Sequence, residues 1–527
     1  MTIEQFLNAI KQYGLEEYFA RFGEMEQILK NIESKINSGT RQEKEKILEY
    51  MAAQVRGAKG WVKIHILSFC MKVSGEAGFA EELLDTVLGA DAGEVGEYNK
   101  LSHFWQMSTT FFLKGELQSP TVKEKMAELY RQLFLAFAGA LGLKGRNVIP
   151  WQERDHNLVV VFTSQVLGME HAPTKTLLDR CYVLKKFLHK EVFIVNTAMQ
   201  VPLKGQAPFY GLVNAEYAEV LSGLEELEFK GERFGFYQCE NKMPDLELMA
   251  ECVRMVKRRK PEFLLTIGGS DICADICGLF VPQITVSTVF SKVAVSCGEY
   301  QIVDKEINET DRKTLSILGV EPRKVKRARF TFSFKEQSHN FTRAELGLGE
   351  GKFVLVVVGW RLDAEVDSAF LEMLERVVRQ DEQIEVAFMG VFDSFGERVK
   401  AYPLFEKNSC FLGKQMDALA VLDCCNLYVN PKRNGGGSSV SEALYKGLPA
   451  ITLPVGDVSV AAGDEFCVPD YEAMERQILR YAAEPEYYRQ MAQRAKERAE
   501  QLLDSSQSFG AVVREIEKEL IPEQQAF

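Results

Sequence analysis

Residues 430–464 read NPKRNGGGSSVSEALYKGLPAITLPVGDVSVAAGD. Three glycines, Gly435, Gly436 and Gly437, run into Ser438 and Ser439, and from there Val440, Ala443, Leu444 and Leu448 recur at helical spacing. The stretch is a loop opening onto a helix N-terminus, and apolar β runs flank it, NLYV at 426–429 and AITL at 450–453. That is the order of a parallel βαβ unit. Side chains at the three glycines would obstruct a close ligand, whereas bare N–H groups, two hydroxyls and the positive end of a helix suit a phosphate. Lys432 and Arg433 add counter-charge just upstream, and Glu442 follows inside the helix. A plain glycine turn with a serine cap is the bland alternative. The coincidence of glycines, hydroxyls, cations and Glu442 favours the anion loop.

The same alternation of strand and helix extends towards the N-terminus. KFVLVVVG (352–359), EVAFMG (385–390) and CFLG (410–413) are buried-strand runs, separated by helical patterns over Ala364–Val378 and through Leu422. A short capped helix is predicted at Thr342, with Glu345 as its capping-box partner. Charge-rich helices, Tyr471–Ala483 and Glu486 to about Leu520, close the chain. Ahead of the linker SFKEQSHNF (333–341) lies a second such pattern. It runs through the strand NLVVVFT (157–163), the loop SQVLGMEHA, a helix from near Pro173, the strand EVFIVN (191–196) and a hairpin over 227–239 turning at Lys230-Gly231. A helix over 244–259, FLLTI (263–267), the turn Gly268-Gly269-Ser270-Asp271 and ITVSTV (284–289) complete it. Residues before about 145 carry helical stripes such as Phe6, Ile10, Tyr13 and Ile28, Ile32, Ile36, with almost no strand signal. The predicted fold is therefore α/β: an all-helical domain (1–148), then two doubly wound Rossmann-like domains (149–340 and 341–527). A ligand cleft is expected between the C-terminal ends of their two parallel sheets.

Composition narrows the function class. With 527 residues, 46% hydrophobic and 26% charged, the chain is an ordinary globular protein of several domains. A net charge of −12 argues against a general grip on nucleic acid. No stretch is apolar enough to span a membrane, and the first residues lack a basic start followed by an apolar block, so a cytoplasmic protein is expected. Eleven cysteines without paired spacing fit buried thiols in a reducing compartment, and Cys273 with Cys277 and Cys424 with Cys425 read as core residues. His65 and His103 stand among apolar residues as packed, satisfied histidines.

In the second α/β domain three strand-end loops converge on the anion loop: Gly359-Trp360-Arg361, Gly413-Lys414 and Asn430–Ser439. Arg361 suits a diphosphate leaving group, with Lys414 beside it. Asp457, after Gly456, ends the next strand-loop. In the Gly268–Asp271 turn, Ser270 or Asp271 reads as a helix N-cap.

These residues resemble those of the GT-B glycosyltransferases. The resemblance covers roughly 155–510 and is strongest in VVVGWRL (356–362), in CFLGKQMDALAVLDCCNLYVNPKRNGGGSSVSEALYKGLPAITL (410–453) and in VGD (455–457). Within the family-four-type retaining enzymes, Glu442 matches the second Glu of a paired-glutamate signature, the one that grips the nucleotide ribose. Asn434 replaces the first, so stereochemistry is left open. The helical domain ahead of two α/β domains is also similar to the O-GlcNAc transferases and the bacterial adhesin N-glycosyltransferases, which invert and act on proteins. The resemblance implies a hexosyl- or N-acetylhexosaminyltransferase using a nucleotide sugar, expected to be UDP-linked, and a protein or glycan acceptor. It implies no metal and no cofactor besides that cosubstrate, the charge being met by Arg, Lys and a helix end. His171, Arg361 and Glu442 are the implied catalytic groups. Lys414, Asn430, Arg433, Asn434, Gly435, Gly436, Gly437, Ser438, Ser439 and Asp457 are the implied donor contacts. His171, at the first strand's loop, is the candidate base, with Thr174 and Lys175 behind it. Two further readings stay open, a non-catalytic partner subunit and a nucleotide-sugar epimerase. A homo-oligomer or a partner held through the helical domain is also possible under the resemblance.

Overall fold

The computed structural model describes residues 2–58, 60–91, 96–168, 171–200, 208–213, 215–334 and 336–522. Met169 and Glu170 of the predicted loop SQVLGMEHA, and Lys335 of the linker, lie outside them.

The N-terminal part carries α1 (Ile3–Gln12), α2 (Leu15–Ala20), α3 (Phe22–Asn37), α4 (Arg41–Gln54), α5 (Gly60–Ser74), α6 (Ala77–Gly89), α7 (Glu97–Leu113) and α8 (Pro120–Ala140). Local sequence sets several starts: Thr40 and Glu43 form a capping box, and Ser119 caps α8 with Pro120 at its first position. Helix α5 shows little amphipathic contrast because its neighbours bury it on most sides, Trp61 through Val73 included. His65 and His103 are buried as expected, but only one of their four ring nitrogens is partnered among the described residues: His65 Nε2 meets the Tyr18 hydroxyl at 2.8 Å. Burial holds both imidazoles neutral, His65 pushed down to about 3 and His103 to about 4.

The first sheet follows: β1 (Asp155–Thr163), α9 (Ala172–Lys186), β2 (Glu191–Asn196), β3 (Glu226–Phe229), β4 (Glu232–Gln238), α10 (Leu246–Arg259), β5 (Pro261–Ile267), α11 (Ile272–Cys277), β6 (Gln283–Val286), β7 (Tyr300–Val303), α12 (Glu309–Leu318) and β8 (Val325–Arg327). Its order is β3-β4-β2-β1-β5-β6-β7-β8, parallel except for the β3–β4 hairpin. That hairpin turns at Lys230 and Gly231, both left-handed at φ 51° and 76°. Strand β1 is apolar from Leu158 to Phe162 because both its faces are covered there. Val160 and Phe162 join the core of the helical domain, while Val159 and Val161 face the opposite layer with Leu177 and Leu184 of α9. The helical domain therefore shares one continuous core with this sheet.

The second sheet comprises β9 (Phe353–Gly359), α13 (Leu362–Glu365), α14 (Ser368–Gln380), β10 (Ile384–Gly390), α15 (Phe395–Val399), α16 (Pro403–Lys407), β11 (Ser409–Gly413), α17 (Ala418–Leu422), β12 (Leu427–Val429), α18 (Gly437–Tyr445), β13 (Ala450–Ile451), α19 (Gly456–Ala462), α20 (Tyr471–Ala483) and α21 (Pro485–Glu500). Its order, β11-β10-β9-β12-β13, is parallel throughout. The predicted helix over 364–378 is interrupted, because Asp367 caps a new start through the Phe370 N–H. At Thr342 the capping-box bonds with Glu345 form, but around a turn.

The C-terminal region departs most from expectation. The single helix predicted from Glu486 to about Leu520 is broken after Glu500, and α22 (Ala511–Leu520) packs on the first sheet, where Phe509, Val513 and Ile516 join the α9 layer. The tail predicted to complete the donor-side domain thus returns to the other one. Gly510 permits the crossing, since a Cβ there would stand 3.1 Å from Val183. Where the chain passes between domains, Arg180 pins the two crossings. Its guanidinium donates to Asp179 (2.6 Å), to the Thr331 hydroxyl (2.9 Å) and carbonyl (3.0 Å) and to Ser505 (3.1 Å), between the rings of Phe330 and Phe509.

Candidate functional site

Each sheet reverses its winding at one place, and the crevice at such a switch point is where ligands reach strand ends. In the first sheet it lies at β1, between β2 and β5; in the second at β9, between β10 and β12. The loop after β1 leads to His171, at the N-cap position of α9. The loops after β9 and β12 carry Arg361 and the glycine triplet.

The triplet makes room for the chain itself. Gly436 is left-handed at φ 98°, and a Cβ there would stand 2.9 Å from Arg433 Nη2 and 3.0 Å from Asn430 Oδ1. A Cβ on Gly435 would lie 3.3 Å from Arg361 Nη2, and one on Gly437 3.0 Å from the ring of Phe290, which comes from the first domain. Helix α18 starts at Gly437, and its first intrahelical bond runs from Val440 N to Gly436 O at 3.0 Å. The N–H groups of its opening residues therefore have no intrahelical acceptor. The Ser439 hydroxyl is taken up by Tyr428 (2.8 Å) and the Gly436 carbonyl (3.1 Å), whereas that of Ser438 has no partner among the described residues.

Two predicted donor contacts face inward instead. Arg433 is buried, donating to Glu365 (2.8 Å), Asn430 (2.8 Å), the Val358 carbonyl (2.7 Å) and Tyr428 (3.1 Å). Asn430 is fully buried and spends its amide on Pro431 O at 2.8 Å. Both tie the loop to the ends of β9 and β12, and neither reaches the cleft. Burial would raise the Glu365 carboxyl, yet Arg433 and Arg361 more than offset it and hold it below the usual range. Arg361 spans both roles: it pairs with Glu365 at 2.9 Å while its side chain stays 44% exposed. Lys414 is exposed and lies over the Trp360 ring at 5.2 Å.

The opposite wall is formed by the first domain. Glu442 pairs across the cleft with Lys175 at 3.0 Å. Asp457 is also drawn across, its Oδ1 accepting from Ser291 N (3.1 Å) and Oγ (2.7 Å), and burial pushes its carboxyl up to about 6. The predicted contact with donor hydroxyls is therefore an interdomain bond here. His171 Nδ1 meets the Thr174 hydroxyl at 2.9 Å. Burial, then the nearby positive charge of Arg361, pushes the imidazole down to about 4. Asn434 bonds the helical domain, its amide donating to the Phe112 carbonyl at 2.5 Å. Phe112, Phe290 and Ser291 escaped sequence reasoning because nothing in their local pattern separates them from core or loop residues. The Gly268–Asp271 turn is a helix cap, as expected of Asp271, which accepts from Ala274 N at 2.9 Å and from Thr197 at 2.6 Å.

Residues 338–498 match the family model described as glycosyl transferases group 1. An O-GlcNAc transferase mutant from Thermobaculum terrenum aligns over 99% of this chain and 98% of its own, at 12% identity and a TM-score of 0.55. The fold is that of the GT-B glycosyltransferases. Two smaller GT-B structures align over 69% of this chain: Anabaena HepE with UDP and glucose (12% identity, 99% of that chain, TM-score 0.48), and the pneumococcal O-GlcNAc transferase GtfA with UDP and GlcNAc (11% identity, 99% of that chain, TM-score 0.47). No curated protein sequence matches. GT-B architecture and the matched segment both point to sugar transfer. Among the described residues no helix is long and apolar enough to cross a membrane.

Proposed function

We propose that this chain is a glycosyltransferase that moves a sugar from a nucleoside diphosphate, UDP by preference, to a protein or glycan acceptor. The observation that carries it is the juxtaposition at the two switch points. Arg361 and the α18 N-terminus lie on one side, with Glu442 inside that helix, and His171 stands near enough on the other for the Arg361 charge to depress it. In the tautomer whose Nδ1–H donates to Thr174, His171 Nε2 keeps a free lone pair, and its depressed pKa leaves it neutral at ordinary pH.

In a single displacement the acceptor's nucleophilic atom bonds the anomeric carbon while its proton passes to His171 Nε2. The bond from that carbon to the diphosphate oxygen breaks, and the nucleoside diphosphate leaves with the electron pair. Arg361, the Ser438 hydroxyl and the opening N–H groups of α18 take up the developing charge, so the reaction needs no metal. Glu442 exchanges Lys175 for the ribose hydroxyls when donor enters.

The test is a thermal-shift panel of UDP, GDP and their sugars against the wild type, Arg361→Ala and Glu442→Ala. Stabilisation by one nucleotide, lost in both variants, is expected, and turnover should survive a chelator. No shift with any nucleotide would sink the proposal. A second reading, a non-catalytic partner subunit, draws support from one observation: Glu442, Asn434 and Asp457 are all engaged by other parts of the chain. The same panel separates the two, since a partner subunit would bind no nucleotide.

A further inference from the structure

The C-terminal end of α7, in the helical domain, abuts the donor loop. A helix C-terminus is the negative end of its dipole and would repel a diphosphate. Here its carbonyls are covered: the Gln118 side-chain amide donates to Phe111 O, the Lys114 N–H to Thr110 O at 2.8 Å, and Asn434 to Phe112 O at 2.5 Å. The Phe112 ring lies 5.2 Å from the Arg361 guanidinium and borders Gly435. Gly115 allows this approach, because a Cβ on it would stand 2.9 Å from the Asn434 amide nitrogen. Asn434 in turn accepts from Asp457 N at 2.9 Å through its own carbonyl, which fixes the backbone just ahead of the glycines.

We propose that the corner Phe112–Gly115 of the helical domain is a positioning element of the donor site: Phe112 orients Arg361 with its ring and anchors Asn434 with its carbonyl. This rests on the donor reading above and adds a third domain to it. It also explains why an amide stands at 434. A carboxylate there would face the Phe112 carbonyl with no proton to donate, whereas the Asn amide covers it. Holding Arg361 and the loop in place before the ligand arrives removes part of the ordering cost of binding.

The experiment titrates UDP and GDP into the full-length wild type, Phe112→Ala, Phe112→Tyr, Gly115→Ala and Asn434→Asp, and records the unliganded melting temperature of each. Phe112→Ala is expected to weaken the preferred nucleotide about three- to tenfold, the size of one cation–π contact and its pre-organisation. Phe112→Tyr, which keeps the aromatic face over Arg361, should bind as the wild type does. Gly115→Ala, which wedges Asn434 away, and Asn434→Asp should weaken binding similarly, and they decide the matter if Phe112→Ala does not fold. Nucleotide binding by the wild type with unchanged affinity in these variants overturns the positioning role alone. A wild type that binds neither nucleotide overturns the donor reading and this one with it.

Discussion

Two arginines near the glycine loop invite opposite expectations. Arg433 is buried in a pair with Glu365, so Arg433→Met should leave that carboxylate to Arg361 alone and cost about 1–3 kcal/mol in urea unfolding. Arg361→Ala, at a partly exposed side chain, should change stability by no more than ~1 kcal/mol while abolishing nucleotide binding. A large stability loss for Arg361→Ala with intact binding would reverse their roles. At His171, protonation below its depressed pKa of about 4 removes the free lone pair. The kcat/KM profile should therefore be flat over roughly pH 5.5–7.5, and a fall centred near the ordinary histidine value of about 6.5 would mean that the imidazole is not depressed in the working enzyme. His171→Ala should lower kcat by about 10²–10⁴-fold. Residue type and spacing made this cluster legible, but direction was not. In a strand-end loop the sequence does not distinguish Arg361, pointing partly outward, from Arg433, pointing back at Val358 and Tyr428, because the difference is set by partners from β9 and β12.

The elements themselves were easier to read. Buried parallel strands announce themselves as continuous apolar runs, and all those expected in the two sheets form, from NLVVVFT to AITL. What misled was continuity. Helical periodicity persists across Asp367 and again past Glu500, yet the chain breaks at both, for reasons that lie in tertiary contacts and capping. At the start of α18 the glycines were expected to admit a ligand, and all three also admit protein. Gly437→Ala should push against Phe290 and hinder approach of the two halves, seen as a raised KM for donor with secondary structure intact. Gly436→Ala, strained at φ 98°, should lower stability by about 1–3 kcal/mol, and an unchanged urea midpoint would contradict that.

Across the whole molecule, the two sheets were legible but their closure was not, because the residues that bridge the halves lie far apart in the chain. Asp457 offers a test of the bridge to Ser291. Its carboxyl, raised from 3.8 to about 6 by burial, favours folding when protonated, an effect complete below 3.8 and lost as pH rises through about 6. Asp457→Asn keeps the acceptor to Ser291 without the buried charge. It should melt above the wild type at about pH 7.5, with the gap closing towards pH 4. Deleting the chain from Phe509 onward should strip Val513 and Ile516 from the first sheet, at about 1.5–3 kcal/mol for each large apolar side chain lost. Hydrogen exchange would then show β1 and α9 unprotected while β9 and β10 stay closed; uniform loss would mean the halves do not unfold separately. The Arg180 pin carries a different consequence. Thr331 and Ser505 stand 2.7 Å apart, hydroxyl to hydroxyl, so the second α/β domain leaves and re-enters its host at a single point. It is, in effect, a cassette: on the proposed function, a module from another GT-B protein spliced between those two positions would exchange the donor side while keeping the core that the helical domain shares with the first sheet.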